Sequence, residues 1–281
     1  MANITRLQSL DLPELEPYLT MRRPIGHRER GIFIAEGEKV VRRLVESELK
    51  IVSILLTEEW LVEYSPLLER RIVEAGIFVA GKRLLEEIVG YKLHQGIMAI
   101  GRVPEKADQF DLEKKSDEQY LFVAVDGVAN SENMGVIVRN CAAFGVDALI
   151  VGETSCDPYL RRSVRNSMGT IFSLPIVRST KLVTTIESMR REHGVRVVAA
   201  NPRDGSVDVA KADLSGDVCV VFGSEGEGIS PQVLSVCDTM VEIPMQRGVD
   251  SINVGSSVGV ILYECARQRS IGKRERSRVI H

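Results

Sequence analysis

From Tyr120 onward the chain repeats one pattern: a short, almost uninterrupted apolar run, a turn, then a stretch with helical spacing. "YLFVAVDGV" is followed by "NMGVIVRNCAAFG", "DALIVG" by "PYLRRSVRN", and "IFSLPIV" by "TKLVTTIESMRREHG". "VRVVAANP", "DVCVVFGSEGEG" and "TMVEIPM" then lead to a last helix from about residue 252 to 269. A strand that is apolar at every position, not at every second one, has to be covered on both faces. The pattern therefore predicts an α/β fold with a mostly parallel sheet and helices on each side. Sheets of this kind bind ligands at the carboxyl ends of their strands, so function is to be sought in the loops there.

The first hundred residues carry a smaller version of the same alternation. "GIFIAEG", "KIVSILLT", "IFVA" and "GIMAIGRV" read as strands. "EKVVRRLVESE", "EEWLVEYSPLLERRIVEAG" and "KRLLEEIVG" read as helices, with Pro66 expected to break or kink the second. Between the two halves lies "PEKADQFDLEKKSDEQ", rich in charge and poor in apolar residues, which reads as a linker. The expected organisation is a small α/β domain over 1–103, a linker over 104–119, a second α/β domain over 120–270 and a basic tail over 271–281.

With 281 residues, 44% of them hydrophobic, the chain can bury two cores. No apolar run is long enough to span a bilayer, and "MANITRLQSL" lacks the pattern of a signal peptide. The five cysteines are scattered with no C-x-x-C pair, which suggests neither a disulfide framework nor a metal site. A cytoplasmic protein is expected. The net charge of −3 argues against a surface coated in positive charge, yet basic residues cluster locally. Arg22, Arg23, Arg28 and Arg30 form one group, Arg42 and Arg43 a second, Arg161, Arg162 and Arg165 a third, and Lys273, Arg274, Arg276 and Arg278 a fourth. Such clusters suit nucleic acid, and equally suit solvated surface.

Three loops at the expected strand ends are unusual. In "SENMGVIVRN", Met134, Ile137, Val138 and Cys141 form an apolar stripe, Asn133 sits where a helix cap belongs, and Arg139 lies off the stripe, four residues after Gly135. "VVFGSEGEGIS" places three glycines after a buried strand, but in the order G-x-x-G-x-G, which is not the dinucleotide fingerprint. Ile229 stands where a phosphate-binding loop would need Lys. Ser230 and Pro231 would start a helix there. In "EIPMQRGVDSINVGSSVGVILYE" a polar loop precedes a helix expected to start near Ser251, with small residues Gly255, Ser256, Ser257 and Gly259 crowding its first turns. Asn253 would then fall inside the first turn, where Asn is unfavourable.

Taken in order, Asn133-x-Gly135-x-x-x-Arg139, Gly223-Ser-Glu225-Gly-Glu-Gly228 and Ile243-Pro244-Met245 leading to Ser251-Ile-Asn253-Val254 resemble the three signature motifs of the SpoU (TrmH-type) RNA methyltransferases of the SPOUT superfamily. "GIFIAEGEKVVRRLVES" is similar to part of an RNA-binding domain often fused ahead of that catalytic domain. The resemblance implies a C-terminal α/β knot, in which a deep trefoil knot forms part of the mostly parallel sheet domain. It implies S-adenosylmethionine as cofactor and transfer of its methyl group to a ribose 2′-hydroxyl of RNA, ribosomal RNA before transfer RNA. It implies a homodimer. Carried over residue by residue, Asn133, Arg139, Ser251 and Asn253 are the expected catalytic group. Ala200, Asn201, Gly223, Glu225, Gly228, Ile243, Met245, Ile252 and Val254 are the expected cofactor contacts, and Arg22, Arg23, Arg28, Arg30 and Arg165 the expected RNA contacts. The chain departs from the family pattern at Ser131, where Pro is common, at Asp250 for Glu, and at Gly255 for Ser. A non-catalytic RNA-binding protein of the same fold is the alternative; a dinucleotide-dependent oxidoreductase is disfavoured by the glycine order.

None of the four histidines falls in a motif, so no ordinary general base is evident. A free guanidinium has a pKa above about 12, and neutralising one near pH 7 costs at least about 7 kcal/mol. The expected role of Arg139 is therefore to hold a phosphate and stabilise a developing alkoxide.

Overall fold

The computed structural model describes residues 3–9, 11–71, 75–90, 95–104 and 119–278. The chain forms two compact units, one of residues 1–105 with 158–173 and one of 106–157 with 174–281. The boundaries expected from sequence are contiguous, whereas these units interleave. Most of the expected linker lies outside the described residues.

The first unit is built on a five-stranded sheet of β1 (Asn3–Arg6), β2 (Ile32–Glu36), β3 (Ile51–Leu56), β4 (Gly76–Val79) and β5 (Ile97–Arg102), in the order β1-β4-β3-β5-β2. β1, β4 and β3 are parallel, and β5 runs against both β3 and β2. Strand β1 has the polar sequence NITR, which gives no apolar signal. The helix Glu38–Glu46 buries Val40, Val41, Leu44 and Val45, the stripe its spacing predicts. The helix Glu58–Arg71 runs through Pro66 instead of breaking. Proline removes the bond to the carbonyl four residues back, that of Val62, and Val62 is exposed, so water can serve that carbonyl. Leu15, Tyr18, Ile34, Leu55, Phe78 and Met98 share one core.

Residues 158–173 belong to this unit through particular contacts. The Phe33 ring lies 5.3 Å from those of both Tyr159 and Phe172. The buried carboxylate of Glu36 accepts from Arg161 Nε at 2.8 Å, and Arg43 donates to the Met168 carbonyl at 2.8 Å. A buried carboxylate needs such a partner to offset its lost hydration.

The second unit holds seven strands: β6 (Leu121–Val125), β7 (Ala148–Val151), β8 (Ile176–Arg178), β9 (Arg196–Ala200), β10 (Val207–Asp208), β11 (Val218–Phe222) and β12 (Thr239–Glu242). Their order is β10-β12-β9-β11-β6-β7-β8, and every pairing is parallel. β6 and β11 are adjacent, near the middle of the sheet, and buried at every position, as their uninterrupted apolar sequences require. Phe122, Ala124, Ile150 and Val221 share a core with Ile186 and Met189 of the helix Leu182–His193. The helix Ser131–Ala143 buries Met134, Ile137, Val138 and Cys141, and the Val146 amide closes it on the Cys141 carbonyl just after Gly145. Burying each of the larger aliphatic side chains contributes about 1.5–3 kcal/mol.

The last helix, Val254–Arg278, is longer than expected and starts later. It packs on Ser131–Ala143: Asn140 Nδ2 donates to the Gly255 carbonyl at 2.7 Å, and a Cβ on Gly255 would lie 2.7 Å from Val136 Cγ1. The small residue is thus required by a helix of the same chain. Further along, the Arg269 guanidinium donates to the carbonyls of Gln119, Tyr120 and Gly216 at 2.7–2.9 Å, tying the helix to the entrance of β6 and β11. The side chains of the expected basic tail lie outside the described residues. Among the described residues no helix is long and apolar enough to cross a membrane.

Candidate active site

β12, β9, β11 and β6 are neighbours in the parallel sheet, so their carboxyl ends lie side by side. The segments leaving β12, β9 and β11 wall a cavity of about 540 Å³. That volume falls in the range of small-ligand pockets, about 300–1,000 Å³. Ala200, Asn201, Gly223, Glu225, Gly228, Ile243, Met245, Ile252 and Val254 all line it, as do Ser251 and Asn253.

Asn133 joins the cavity wall through a chain of amides. The Gly255 amide donates to Asn253 Oδ1 at 2.9 Å, Asn253 Nδ2 donates to Asn133 Oδ1 at 2.9 Å, and Asn133 Nδ2 donates to the Glu225 carboxylate. Each donor in the series polarises the next, and the series ends on an acceptor-only group. The helix following β6, the loop following β11 and the start of the last helix are thereby locked together.

Two helix starts differ from the sequence expectation. Asn130, not Asn133, caps Ser131–Ala143; its side chain accepts from the Glu132 amide at 2.8 Å. Two asparagines three residues apart can each cap, and the choice of the first frees the side chain of the second for the site. Ser251 does not cap the last helix. Asn253 precedes Val254 and bonds the Gly255 amide, so its place is a cap position and not the unfavourable helix interior. Ser230 does cap Pro231–Leu234, accepting from the Val233 amide.

The loop after β11 is a tight hairpin in which the Ser224 and Gly228 backbones exchange hydrogen bonds of 3.0 and 3.1 Å. A Cβ on Gly223 would collide with the backbone of Gly228 and Ile229. Only glycine permits this close approach. The loop is held from below by Asp126, a buried residue just past β6, whose Oδ2 accepts from the Ser230 amide at 2.8 Å. Sequence reasoning missed Asp126, although an acid following five apolar residues was a signal for it.

Arg139 lies two turns along its helix from Asn133, exposed, with no hydrogen bond or ion pair among the described residues; it does not line the cavity. Gly135 is buried. Burial pushes the thiols of Cys156, Cys237 and Cys265 up to about 11 and those of Cys141 and Cys219 higher still. All five stay protonated near neutral pH, so no thiolate nucleophile is on offer.

The expected RNA contacts all fall in the first unit. Arg22, Arg23, Arg28 and Arg30 are exposed on or beside the helix Pro24–Glu29. Arg30 is paired with Glu16 at 2.5 Å, and Arg165 lies 4.0 Å from the Glu36 carboxylate. Arg23 and Arg28 have no side-chain partner among the described residues.

The profile of the SpoU rRNA methylase family matches residues 120–263. An uncharacterized tRNA/rRNA methyltransferase of Mycobacterium tuberculosis is 30% identical over 265 residues, 92% of this chain and 90% of its own length. The 23S rRNA (guanosine-2′-O-)-methyltransferase RlmB of Acinetobacter baylyi is 31% identical over 68% of this chain and 77% of its own. Among solved structures, the SpoU methyltransferase AviRb from Streptomyces viridochromogenes superposes with a TM-score of 0.79 at 27% identity, covering 93% of this chain and 99% of that one. With the parallel sheet, the ordered motifs and the loops they build, these matches establish that the chain belongs to the SpoU rRNA methylase family.

Proposed function

We propose that the protein transfers the methyl group of S-adenosylmethionine to a ribose 2′-hydroxyl of RNA, with ribosomal RNA the first candidate and transfer RNA the second. The observation that carries this reading is the meeting of Asn133, Asn253 and Glu225 at the rim of a cavity lined by every expected cofactor contact. The names of the relatives support it: one is a 23S rRNA 2′-O-methyltransferase, and AviRb has been solved with AdoMet at a TM-score of 0.76 and 28% identity.

The cavity suits the cofactor. Phe222, Val241, Val254 and Ile261 supply apolar wall, Gly223 leaves the backbone bare, and Glu225 and Glu227 face a ligand that carries positive charge. When bound, S-adenosylmethionine supplies a methyl group on a sulfonium that leaves readily. The chain's residues have to align the ribose oxygen with that methyl; such positioning can lower a barrier by about 7–11 kcal/mol. The locked amides of Asn133 and Asn253 provide fixed donors and acceptors at the site. Arg139, exposed and without a carboxylate partner among the described residues, is available for the phosphate beside the target ribose and for the oxygen as its proton leaves.

The first unit would deliver the RNA through Arg22, Arg23, Arg28, Arg30 and Arg165. The same reading includes the trefoil knot, supported by the last helix returning from the edge-ward β12 to pack on the helix that follows β6. It includes a homodimer, supported by the exposed apolar side chains of Val136, Val260 and Tyr263 on those two packed helices, and a cytoplasmic location.

The test is methyl transfer from radiolabelled S-adenosylmethionine to separately purified, unmodified ribosomal and transfer RNA, followed by alkaline digestion. Alkali cannot cleave next to a 2′-O-methylated ribose. Label in a resistant dinucleotide is expected; label confined to mononucleotides would place the methyl on a base and sink the ribose assignment.

A further inference from the structure

Arg203 is the one basic side chain among the described residues that line the cavity. It sits in the loop after β9, which no signature motif reaches. That loop is built to a fixed shape: Ser206 Oγ donates to the Asn201 carbonyl at 2.6 Å, the Ser206 amide donates to the Arg203 carbonyl at 3.0 Å, and the Arg203 amide donates to the Asn201 carbonyl at 3.0 Å. Asn201 is itself buried, so the loop stands on the sheet. The Arg203 side chain is exposed and has no hydrogen bond or ion pair among the described residues. Most other arginines of this unit are used internally: Arg178 on Asp157, Arg190 on Asp238, Arg196 on Asp213, Arg267 on Glu264. Arg203 is held at the mouth of a ligand cavity and left unpaired.

The charges of the wall are two carboxylates, Glu225 and Glu227, and one guanidinium. The methyl donor carries the complement: two cationic groups, the sulfonium and the α-amino group, and one carboxylate. We infer that Arg203 binds the α-carboxylate of the cofactor's methionine part and so selects the intact amino acid end of the molecule. This rests on the proposed methyl donor. A guanidinium can meet a carboxylate with two parallel hydrogen bonds, which a lone ammonium cannot. The rim is open to water, so screening holds the effect to about tenfold, not the hundredfold of a sealed pair.

The experiment is calorimetric titration of the full chain, wild type and Arg203→Ala, with S-adenosylmethionine and with its decarboxylated form, which keeps the sulfonium and the amine. The wild type is expected to bind the intact cofactor about tenfold more tightly than the decarboxylated one. Arg203→Ala should weaken only the intact cofactor and bring the ratio to about one, with Arg203→Lys in between. An Arg203→Ala protein that loses both ligands equally, or neither, overturns the assignment. So does unchanged cofactor affinity accompanied by weaker RNA binding with a flatter salt dependence, which would give Arg203 to a phosphate. If the wild type binds neither ligand, the methyl-donor reading fails first.

Discussion

Both units spend arginines on their own carboxylates and leave a few uncommitted, and they differ in where the uncommitted ones sit: Arg23 and Arg28 beside a surface helix in the first, Arg203 at a cavity in the second. In the first, Arg161 is spent on the buried Glu36, Arg42 on Glu38 and Glu63, and Arg30 on Glu16. In the second, Arg178, Arg190, Arg196 and Arg267 are spent likewise, while Arg139 on the helix after β6 and Arg203 in the cavity wall have no partner among the described residues. A count of basic residues favours the first unit as the place where a polyanion binds. Pairing shows that much of that charge is already neutralised by the fold, and that among the described residues lining the cavity one guanidinium, that of Arg203, is uncommitted. Charge that a fold leaves unpaired beside a cavity is better evidence of a ligand than charge that is merely abundant.

The largest effect should follow from removing an uncommitted arginine. Arg139→Ala is expected to lower methyl transfer by about a hundredfold to a thousandfold while calorimetry finds cofactor affinity unchanged. Arg139→Lys should lose most of the activity too, because the fork geometry goes with the guanidinium. Near-normal transfer by the lysine variant would remove Arg139 from the chemistry. Next comes a break in a committed pair. Glu36→Ala removes the carboxylate that Arg161 meets in a partly buried site and should cost about 2–3 kcal/mol in urea unfolding, with the wild-type value restored poorly by Gln. Arg28→Ala tests whether unpaired charge in the first unit meets RNA. It should weaken RNA binding and flatten the plot of log affinity against log salt by about 0.7 if one single-strand phosphate contact is lost. Smallest is Arg30→Ala, whose exposed ion pair with Glu16 should contribute no more than about 0.5 kcal/mol by the same unfolding assay. A larger RNA effect for Arg30 than for Arg28 would break the link between pairing and availability.

What could be read without coordinates followed from local rules. β6 and β11 announce themselves by five consecutive apolar residues, and the stripe of Met134, Ile137, Val138 and Cys141 fixes which side of its helix is buried. The glycine loop after β11 and the polar loop before the last helix mark themselves by residues that make no sense in a core. The helix caps were misplaced because Asn130 and Asn133 satisfy the same local rule, and only the long-range bond from Asn133 to Glu225 tells them apart. β1 and β10 escaped because edge strands of four and two residues owe their form to a neighbour, not to their own composition. Arg203 escaped for a related reason: its loop bears no motif, and its meaning comes from the cavity it borders. Residues 158–173 look like part of the second domain in sequence, since the ring contacts of Phe33 with Tyr159 and Phe172 span more than a hundred positions.

That last segment sets a timetable for biosynthesis. The first unit is not finished when residue 105 leaves the ribosome, because the chain that covers Phe33 and neutralises Glu36 ends at residue 173. At synthesis rates of about 5–20 residues per second, the sheet of the first unit waits on the order of several seconds for its final layer. By then β6 and β7, which belong to the other sheet, have already been made. The first unit is therefore completed only after part of the second has been made, and the second has still to receive β8 to β12 and its last helix.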